Sequence, residues 1–241
     1  MNEIIFLDET SSTNDWLRER CETLSDKTCV TAERQTSGRG RRGHSWETSE
    51  GMLAMSILFK DPPDVPTLTA RIGLSVCDAV AELYPALSQT GIKWPNDVIV
   101  GNHKVCGILC ESFGIGDCVN VICGIGLNVS QSEEYFKKVG LPNAGSLKML
   151  SGIELPKKLL CEKIRERAII RAGELFCGCY EEYRARVLNI GKEVRILRGN
   201  DERRARAVDV AENGCLICED EGGRFEVNSG EVSIRASEGY I

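Results

Sequence analysis

The spacing of apolar residues changes character near Gly191, and this change constrains the fold more than any other feature of the chain. Over residues 156–188 the apolar residues recur at helical spacing, which predicts two consecutive helices. After Gly191 the apolar runs are short and are separated by Asn-Gly and Gly-Gly turns, which predicts a set of short strands. We therefore expect two domains, residues 1–189 and residues 190–241, the second being a small β domain.

The part of the chain before residue 130 carries the patterns of both strands and helices. Helical spacing predicts one helix that begins near Ser12 or Thr13 and a second from about Thr67 to Leu83. Apolar runs bounded by turn signals predict seven strands, at residues 3–7, 29–32, 52–59, 92–94, 97–100, 105–112 and 119–127. The predicted fold class is therefore mixed α/β (α+β), followed by the small β domain.

A loop rich in glycine and arginine joins two of these predicted strands. Residues 38–43, the Gly-Arg loop, read Gly-Arg-Gly-Arg-Arg-Gly, which formally matches the GxGxxG turn of dinucleotide-binding folds. That turn opens a helix, whereas the residues here lead to an apolar strand beginning at Met52, so the match fails. Glycine lets the backbone close around a ligand, and guanidinium groups bind carboxylate and phosphate oxygens. The loop therefore predicts a binding site for a small anion.

Composition narrows the classes of function. The chain has 30 basic and 36 acidic residues, a net charge of -6, which gives no general attraction to nucleic acid or to an anionic membrane. The sequence shows no signal peptide and no membrane span, so we expect a cytoplasmic protein. The twelve cysteines have neither disulfide nor zinc spacing, and two histidines are few for metal chemistry. We expect no metal site, and free thiols in a reducing cytosol.

Six segments together resemble the biotin–protein ligase family, and they follow the family's order over nearly the whole chain. They are residues 12–14 (Ser-Thr-Asn), 35–46 (which contain the Gly-Arg loop), 93–97 (Lys-Trp-Pro-Asn-Asp), 104–109, 124–129 and 229–233. In turn they resemble the family's biotin-contacting motif, its biotin- and ATP-binding loop, its central motif, the segment of its essential lysine, its nucleotide-side strand and the end of its C-terminal domain. Each segment alone also fits a structural role, such as a helix cap for Ser12 or a solvated turn for Lys104. Their joint occurrence in one order favours the resemblance.

The resemblance implies both a fold and a reaction. The fold is a mixed-sheet catalytic domain of the class II synthetase-like biotin/lipoate ligase type, followed by a small SH3-like β-barrel. The reaction has two steps: biotin and Mg²⁺-bound ATP form biotinyl-5′-AMP, and biotin then passes to a lysine on the biotin carboxyl carrier domain of a carboxylase. ATP and Mg²⁺ are the cofactors implied, with biotin as the substrate.

The resemblance also implies roles for individual residues. Arg39 and Lys104 are implied to neutralise charge in the first step, and Asp97 to orient or deprotonate the acceptor lysine. Contacts to biotin are implied for Ser12, Thr13, Asn14, Gln35, Gly38, Arg39, Gly40, Arg41, Lys104 and Gly107. Contacts to ATP are implied for Arg39, Arg41, Arg42, Trp46, Lys93, Asn96 and Asn128.

Two departures from the family pattern matter. The common family loop ends in arginine where this chain has His44, which softens the expected phosphate contact there. The chain begins almost at the first catalytic strand, so we expect the short, monofunctional type without a DNA-binding domain or a repressor role.

Two other functions stay open from the sequence. A lipoate–protein ligase shares the fold and the adenylation chemistry, although the full Gly-Arg loop and the Lys-Trp-Pro-Asn-Asp motif favour biotin. A non-catalytic module that binds an acyl nucleotide or RNA is the alternative from another class, and the acidic balance speaks against RNA. The sequence is also compatible with a homodimer.

Overall fold

Two sheets and six α-helices make up the part of the chain that the computed structural model describes, residues 4–43, 46, 49–87, 89–116, 118–229 and 233–236. The larger sheet has seven strands: β1 (Ile4–Thr10), β2 (Cys29–Gln35), β3 (Met52–Lys60), β4 (Thr90–Lys93), β5 (Asp97–Val100), β6 (His103–Ile115) and β7 (Cys118–Asn128). Their spatial order is β1-β2-β3-β7-β6-β5-β4. Only β1 and β2 run parallel, and the other neighbours are antiparallel. The predicted mixed α/β class is therefore confirmed.

The helices lie between and after these strands. They are α1 (Thr13–Arg20), α2 (Leu68–Leu83), α3 (Glu133–Lys138), α4 (Leu147–Ser151), α5 (Lys157–Ala172) and α6 (Tyr180–Arg186). The two long helical regions predicted from the sequence are present, whereas α3 and α4 are not predicted because five or six residues are too few to show a helical period. Among the helices that the structure describes, none is long and apolar enough to cross a membrane.

The larger sheet separates two layers of apolar residues. On one face, Leu17 of α1 packs in a small cluster with Leu58 of β3 and Ile122 of β7. On the other face lies the main core, to which α2 contributes residues such as Ile72 and Val76, both fully buried. Successive residues of a strand point to opposite faces, so β3, β6 and β7 each supply both layers. The face that carries α1 also carries the site described below.

The second sheet consists of five antiparallel strands that follow the helical region. They are β8 (Glu193–Arg198), β9 (Asp201–Val210), β10 (Leu216–Asp220), β11 (Gly223–Val227) and β12 (Ser233–Ala236), in the order β11-β10-β9-β8-β12. Buried residues of this sheet continue the main core. Trp94 adds a hydrogen bond between the sheets, because its indole N–H donates to the carbonyl of Gly214 at 3.0 Å.

Arg71 fastens the first part of α2 to the loop before this helix and to the end of α5. Its side chain is fully buried, and its guanidinium donates to five main-chain carbonyl oxygens, those of Pro63, Asp64, Arg171, Ala172 and Glu174. A buried cation is costly unless it is hydrogen-bonded, and carbonyl oxygens bond both terminal nitrogens of this guanidinium. The residue therefore joins the loop before α2 to the end of α5.

We expect Arg71→Met to lower the free energy of unfolding by about 3 kcal/mol or more, because the hydrogen bonds that tie the loop before α2 to the end of α5 are lost at a buried position. Urea denaturation followed by circular dichroism measures this loss. Arg167→Met is the control: Arg167 lies on α5 in a partly exposed pair with Glu82, so its removal should cost about 1 kcal/mol or less. Equal losses for the two variants would contradict the fastening role of Arg71.

Candidate active site

A cavity of about 730 Å³ lies where β3, β6 and β7 meet the Gly-Arg loop. The start of α1, the helix α3 and the segment 139–144 complete its walls. Cavities for small-molecule ligands commonly enclose about 300–1,000 Å³. Among the described residues that line the cavity, four side chains are cationic and one is a carboxylate: Arg39, Arg41, Arg42 and Lys104, with Asp97. The size and the charge together favour a small anionic ligand.

Two glycines on neighbouring strands form the floor beneath Trp46. Gly107 of β6 and Gly126 of β7 are paired in register. A Cβ atom would lie 2.7 Å from the indole ring at Gly107 and 2.5 Å from it at Gly126. The backbone N–H of Trp46 donates to the carbonyl of Gly38 at 2.9 Å, which ties Trp46, three residues beyond the Gly-Arg loop, to the first residue of that loop. The absence of side chains at the two glycines thus lets an aromatic ring lie directly on the sheet.

Neutral polar side chains line one end of the cavity. Thr13 donates to Gln35 Oε1 from its backbone N–H (2.8 Å) and from its hydroxyl (3.0 Å). The Ser56 hydroxyl lies 2.7 Å from Thr13 Oγ1 and 2.6 Å from Asn14 Oδ1. Ser12 is the N-cap of α1 and also lines the cavity, so the same residue caps the helix and belongs to the site. This end suits a neutral polar group such as an amide or a urea.

Arg39 lies against two carboxylates at the same end. Its Nη2 atom is 2.5 Å from Asp15 Oδ1 and 3.2 Å from Glu111 Oε2. The same Glu111 oxygen accepts a hydrogen bond from Asn14 Nδ2 at 2.7 Å. The first arginine of the loop is therefore held beside the neutral polar groups.

The other two loop arginines reach the second sheet. Arg41 donates to Asn96 Oδ1 at 3.2 Å and to the backbone carbonyl of Ser229. Arg42, whose φ is +56°, donates to the backbone carbonyl of Leu197 at 3.3 Å. The loop is thus fixed at one side by the larger sheet and at the other by the small β domain.

Burial lowers the pKa of the Arg41 guanidinium below its ordinary value; the nearby carboxylate of Asp97 opposes that lowering, and the charge of Arg42 adds to it. Arginine stays protonated at neutral pH even so. Its positive charge is therefore poorly solvated, and an anion that enters the cavity gains a strong interaction.

Lys104 and Asp97 form an ion pair in the cavity wall. Lys104 Nζ is 2.7 Å from Asp97 Oδ1, with 24% of the lysine side chain and 14% of the aspartate side chain exposed. The ammonium also lies 5.3 Å from the centre of the Trp46 ring. Main-chain hydrogen bonds fix the lysine, because its N–H donates to Asn143 O at 2.8 Å and its carbonyl accepts from Gly145 at 3.0 Å. The ammonium therefore lies at a defined place between an aspartate and an indole.

Two asparagine amides hold the walls together. Asn96 Nδ2 donates to the carbonyl of Ile108 at 3.1 Å, and Asn96 O accepts from the N–H of Ile108 at 3.0 Å. Asn128 Nδ2 donates to the carbonyls of Gly145 at 3.1 Å and Lys104 at 3.4 Å. Both side chains thus bond to main-chain groups, which fixes the neighbouring segments around the cavity.

Fourteen of the sixteen residues assigned from the sequence line this one cavity: Ser12, Thr13, Asn14, Gln35, Arg39, Gly40, Arg41, Arg42, Trp46, Asn96, Asp97, Lys104, Gly107 and Asn128. Of the assigned residues, Gly38 and Lys93 do not line it. Gly38 instead accepts the hydrogen bond from Trp46, and Lys93 is 2% exposed at the end of β4. His44 lies outside the described residues.

Two residues that bond to the lining residues without lining the cavity were not assigned from the sequence. Ser56 and Glu111 contact assigned residues and were not assigned themselves. Glu111 lies four residues after Gly107 on the same strand, so the period of two places both on one face. Gly124 and Gly126 also share a face, and alternate glycines in a strand signal the close approach of other groups. Strand periodicity was therefore the signal that could have found them.

The described residues contain no group of three or more His, Cys, Asp or Glu side chains placed to hold a metal ion. The twelve cysteines are free thiols. Any divalent cation that enters this cavity would take most of its ligands from a bound phosphate and from water, which is the common way in which proteins use Mg²⁺.

Two family models match the sequence. The model of the "Biotin/lipoate A/B protein ligase family" matches residues 5–128, and that of the "Biotin protein ligase C terminal domain" matches residues 190–235. A biotin–[acetyl-CoA-carboxylase] ligase of Mycobacterium tuberculosis is 36% identical over 239 residues, covering 93% of this chain and 86% of the relative. The bifunctional ligase/repressor BirA of Bacillus spizizenii is 31% identical over 243 residues, covering 96% of this chain and 74% of the relative.

A solved structure of the same family has the same fold over both sheets. The biotin protein ligase of Aquifex aeolicus in complex with biotin and ATP superposes with a TM-score of 0.85 at 32% identity. The match covers 98% of this chain and all of the other chain. The likeness therefore extends over both sheets and includes the part of the fold that forms the cavity.

We expect Gly126→Ala to displace Trp46 from the floor of the cavity, since the new methyl group would lie 2.5 Å from the indole ring. Hydroxyl-radical footprinting with mass spectrometry reads the exposure of Trp46 directly, and its reactivity should rise. Gly114→Ala is the matched control on the adjacent strand, because a Cβ there meets only the carbonyl of Cys118 at 3.9 Å. Unchanged Trp46 reactivity in Gly126→Ala would rule out the packing described here.

Proposed function

Because this chain belongs to the biotin/lipoate A/B protein ligase family, we propose that its cavity brings biotin and ATP together and joins them through the biotin carboxylate. The protein is an ATP-dependent biotin–protein ligase, which activates biotin and transfers it to a protein lysine. One observation carries this conclusion: a single cavity has a neutral polar end at Thr13 and Gln35 and a cationic end at Arg41 and Lys104. Such a cavity matches a neutral ureido ring joined to a carboxylate that must meet a phosphate.

The neutral polar end is the proposed biotin site. Ser12, Thr13, Gln35 and Gly40 would hold the fused rings and the ureido head, whose urea pairs with neutral donors and acceptors. Support comes from the hydroxyl and amide groups gathered at this end. Asn14 already bonds to Ser56, Leu109 and Glu111, so it supports this wall more than it offers a free group.

The first step is the attack of a biotin carboxylate oxygen on the α-phosphorus of ATP, with pyrophosphate as the leaving group. Two anions must approach each other, so the catalytic task is positioning and charge neutralisation. Arg39 and Lys104 perform that task in this proposal, and Arg41 and Arg42 bind phosphate oxygens or order the loop. Mg²⁺ enters with ATP and supplies further neutralisation of the phosphates.

The nucleotide lies on the side of Trp46, Asn96 and Asn128 in this proposal. The indole on its glycine floor and the segment 139–144 offer apolar surface beside polar main-chain groups, which suits a nucleobase. The position of Lys93 gives no support to a direct contact with ATP, because its side chain is buried and does not line the cavity.

The second step is the attack of the acceptor lysine on the carbonyl carbon of the mixed anhydride, which expels AMP. The attacking amine must lose a proton, and Asp97 is the proposed acceptor or orienting group. Asp97 is the one carboxylate among the described residues that line the cavity, and Lys104 holds it in place at 2.7 Å. The acceptor lysine is proposed to lie on the biotin carboxyl carrier domain of a carboxylase, as the name of the Mycobacterium tuberculosis relative suggests.

Four further proposals concern the location, the domain boundary, the lack of DNA binding and the oligomeric state. The free thiols support a reducing, cytoplasmic location. The match of the C-terminal model from residue 190 supports a domain boundary after residue 189. Two of these stay predictions from the sequence alone: that the protein does not bind DNA, and that it forms a homodimer.

The activation step is tested by incubating the protein with Mg-ATP and biotin, and in parallel with lipoate, while pyrophosphate and adenylate mass are followed. We expect biotinyl-5′-AMP from biotin and no adenylate from lipoate. Lys104→Met should slow adenylation by about 100-fold to 1,000-fold, the usual cost of removing a group that stabilises developing charge. Adenylate from lipoate alone would make the protein a lipoate ligase, and none from either acid would overturn the ligase function.

The Gly-Arg loop should also retain the intermediate. Arg41→Gly removes the donors to Asn96 and to Ser229, so we expect biotinyl-5′-AMP to leave the protein about 10-fold to 100-fold faster. Ultrafiltration after single-turnover adenylation measures the free fraction over time. Arg34→Gly serves as the control, because Arg34 is exposed and pairs with Glu9. Equal retention in Arg41→Gly and in the unaltered protein would speak against this role.

A further inference from the structure

Glu111 lies behind the cavity and contacts two residues that line it, Asn14 and Arg39. Its Oε2 atom lies 2.7 Å from Asn14 Nδ2 and 3.2 Å from Arg39 Nη2. We propose that Glu111 is a positioning residue for the adenylation step, which orients Asn14 at the biotin end and holds Arg39 where the carboxylate meets the phosphate. This inference rests on the proposed ligase function, because it assigns a further residue to the same reaction.

The carboxylate acts through other side chains and not on the ligand itself. Glu111 is not among the described residues that line the cavity, and 24% of its side chain is exposed. It lies on β6 opposite Ile122 of β7, on the face that bears Gly107 and the cavity floor. A rigid strand therefore carries the group, and this favours a precise position for the arginine on the neighbouring loop.

Gln35 Oε1 accepts from the Thr13 N–H, and hydrogen bonds then run through the hydroxyls of Thr13 and Ser56 and the amide of Asn14 to Glu111. The ion pair with Arg39 completes the chain. Each member fixes the orientation of the next, so the biotin wall and the catalytic arginine share one network. A change at Glu111 therefore affects both Asn14 and Arg39, whereas a change at the exposed Asp15 affects only the arginine.

Asp15 provides the comparison within the same site. It also binds Arg39, at 2.5 Å, but it lies on α1 and is 36% exposed, and the carboxylate that accepts from Asn14 Nδ2 is that of Glu111. Loss of Glu111 leaves Arg39 with this more exposed partner alone. We therefore expect the guanidinium to stay bound to the protein but to shift toward α1, away from Glu111.

Two variants separate the two contacts of Glu111. Glu111→Gln keeps an oxygen that accepts from Asn14 and removes the charge that holds Arg39. We expect it to lower kcat for biotin-dependent pyrophosphate exchange into ATP about tenfold or more, with KM for biotin changed by less than about twofold. Glu111→Ala removes both contacts, so KM for biotin should also rise, by about tenfold.

A double-mutant cycle tests whether Glu111 acts through the arginine. In the Arg39→Ala background, Glu111→Gln should change kcat by less than about twofold, because the partner through which it acts is gone. Glu9→Gln is the matched control, since it removes an exposed carboxylate from an arginine pair on β1 and β2, and it should leave both constants unchanged. Calorimetric binding of biotin to Glu111→Gln at unaltered affinity shows that the variant is folded.

The outcomes are distinct. Loss of kcat with retained KM, and no further loss in the Arg39→Ala background, is the expected result. A normal kcat in Glu111→Gln, or losses that multiply in the double variant, would overturn the positioning role while the ligase function stands. No exchange by the unaltered protein would overturn the ligase function, and this inference with it.

Discussion

The pairing of β6 with β7 is the interaction on which the site depends. Antiparallel register sets Gly107 opposite Gly126 and Leu109 opposite Gly124, so three of the four positions on this part of the cavity face carry no side chain. The opposite face of the same strands faces the main core, which fixes the register because a slip of one residue would exchange the faces. The core therefore determines where the cavity floor is open.

Charge organises the rest of the site around that floor. The four cations of the cavity already have protein partners: Arg39 has two carboxylates, Lys104 has Asp97, and Arg41 and Arg42 have backbone carbonyls. These partners keep like charges apart in the free protein. A carboxylate or phosphate that enters then exchanges partners with groups that are already close to their working positions, which reduces the reorganisation that binding requires.

The sequence was informative where chemistry and periodicity coincide. The Gly-Arg loop was assigned to an anion site from residue type, Lys104 from the family resemblance, and the apolar face of α2, with Ile72 and Val76, from helical spacing. Three loop arginines and Lys104 line one cavity, and the two α2 residues are buried. Lys93 shows the limit, since a motif lysine was assigned to ATP, whereas the strand end buries it. Whether a motif side chain faces the cavity depends on strand register, which is set by long-range pairing and not by the local sequence.

The hydrogen bonds that join Ser56, Asn14 and Glu111 could not be predicted from the sequence, because they too depend on long-range strand pairing. Ser56 and Glu111 are an ordinary serine and an ordinary glutamate in apolar strands, and their partners lie 42 and 97 residues away at Asn14. Contacts of such separation arise only when the sheet has formed. A buried polar group in a strand is nonetheless a local warning, because it must find a partner. The period of two from Gly107 to Glu111 would have placed Glu111 on the cavity face.

The small β domain completes the site through its main chain. Arg41 and Arg42 bind backbone carbonyls at Ser229 and Leu197, and a carbonyl oxygen is present whichever side chain the residue bears. The contact therefore depends on where the second sheet lies and not on the identity of its residues. Because the continuous core fixes that sheet against the first, the position of the Gly-Arg loop is set by packing in both sheets. The loop is the point at which the larger sheet and the small β domain both border the cavity.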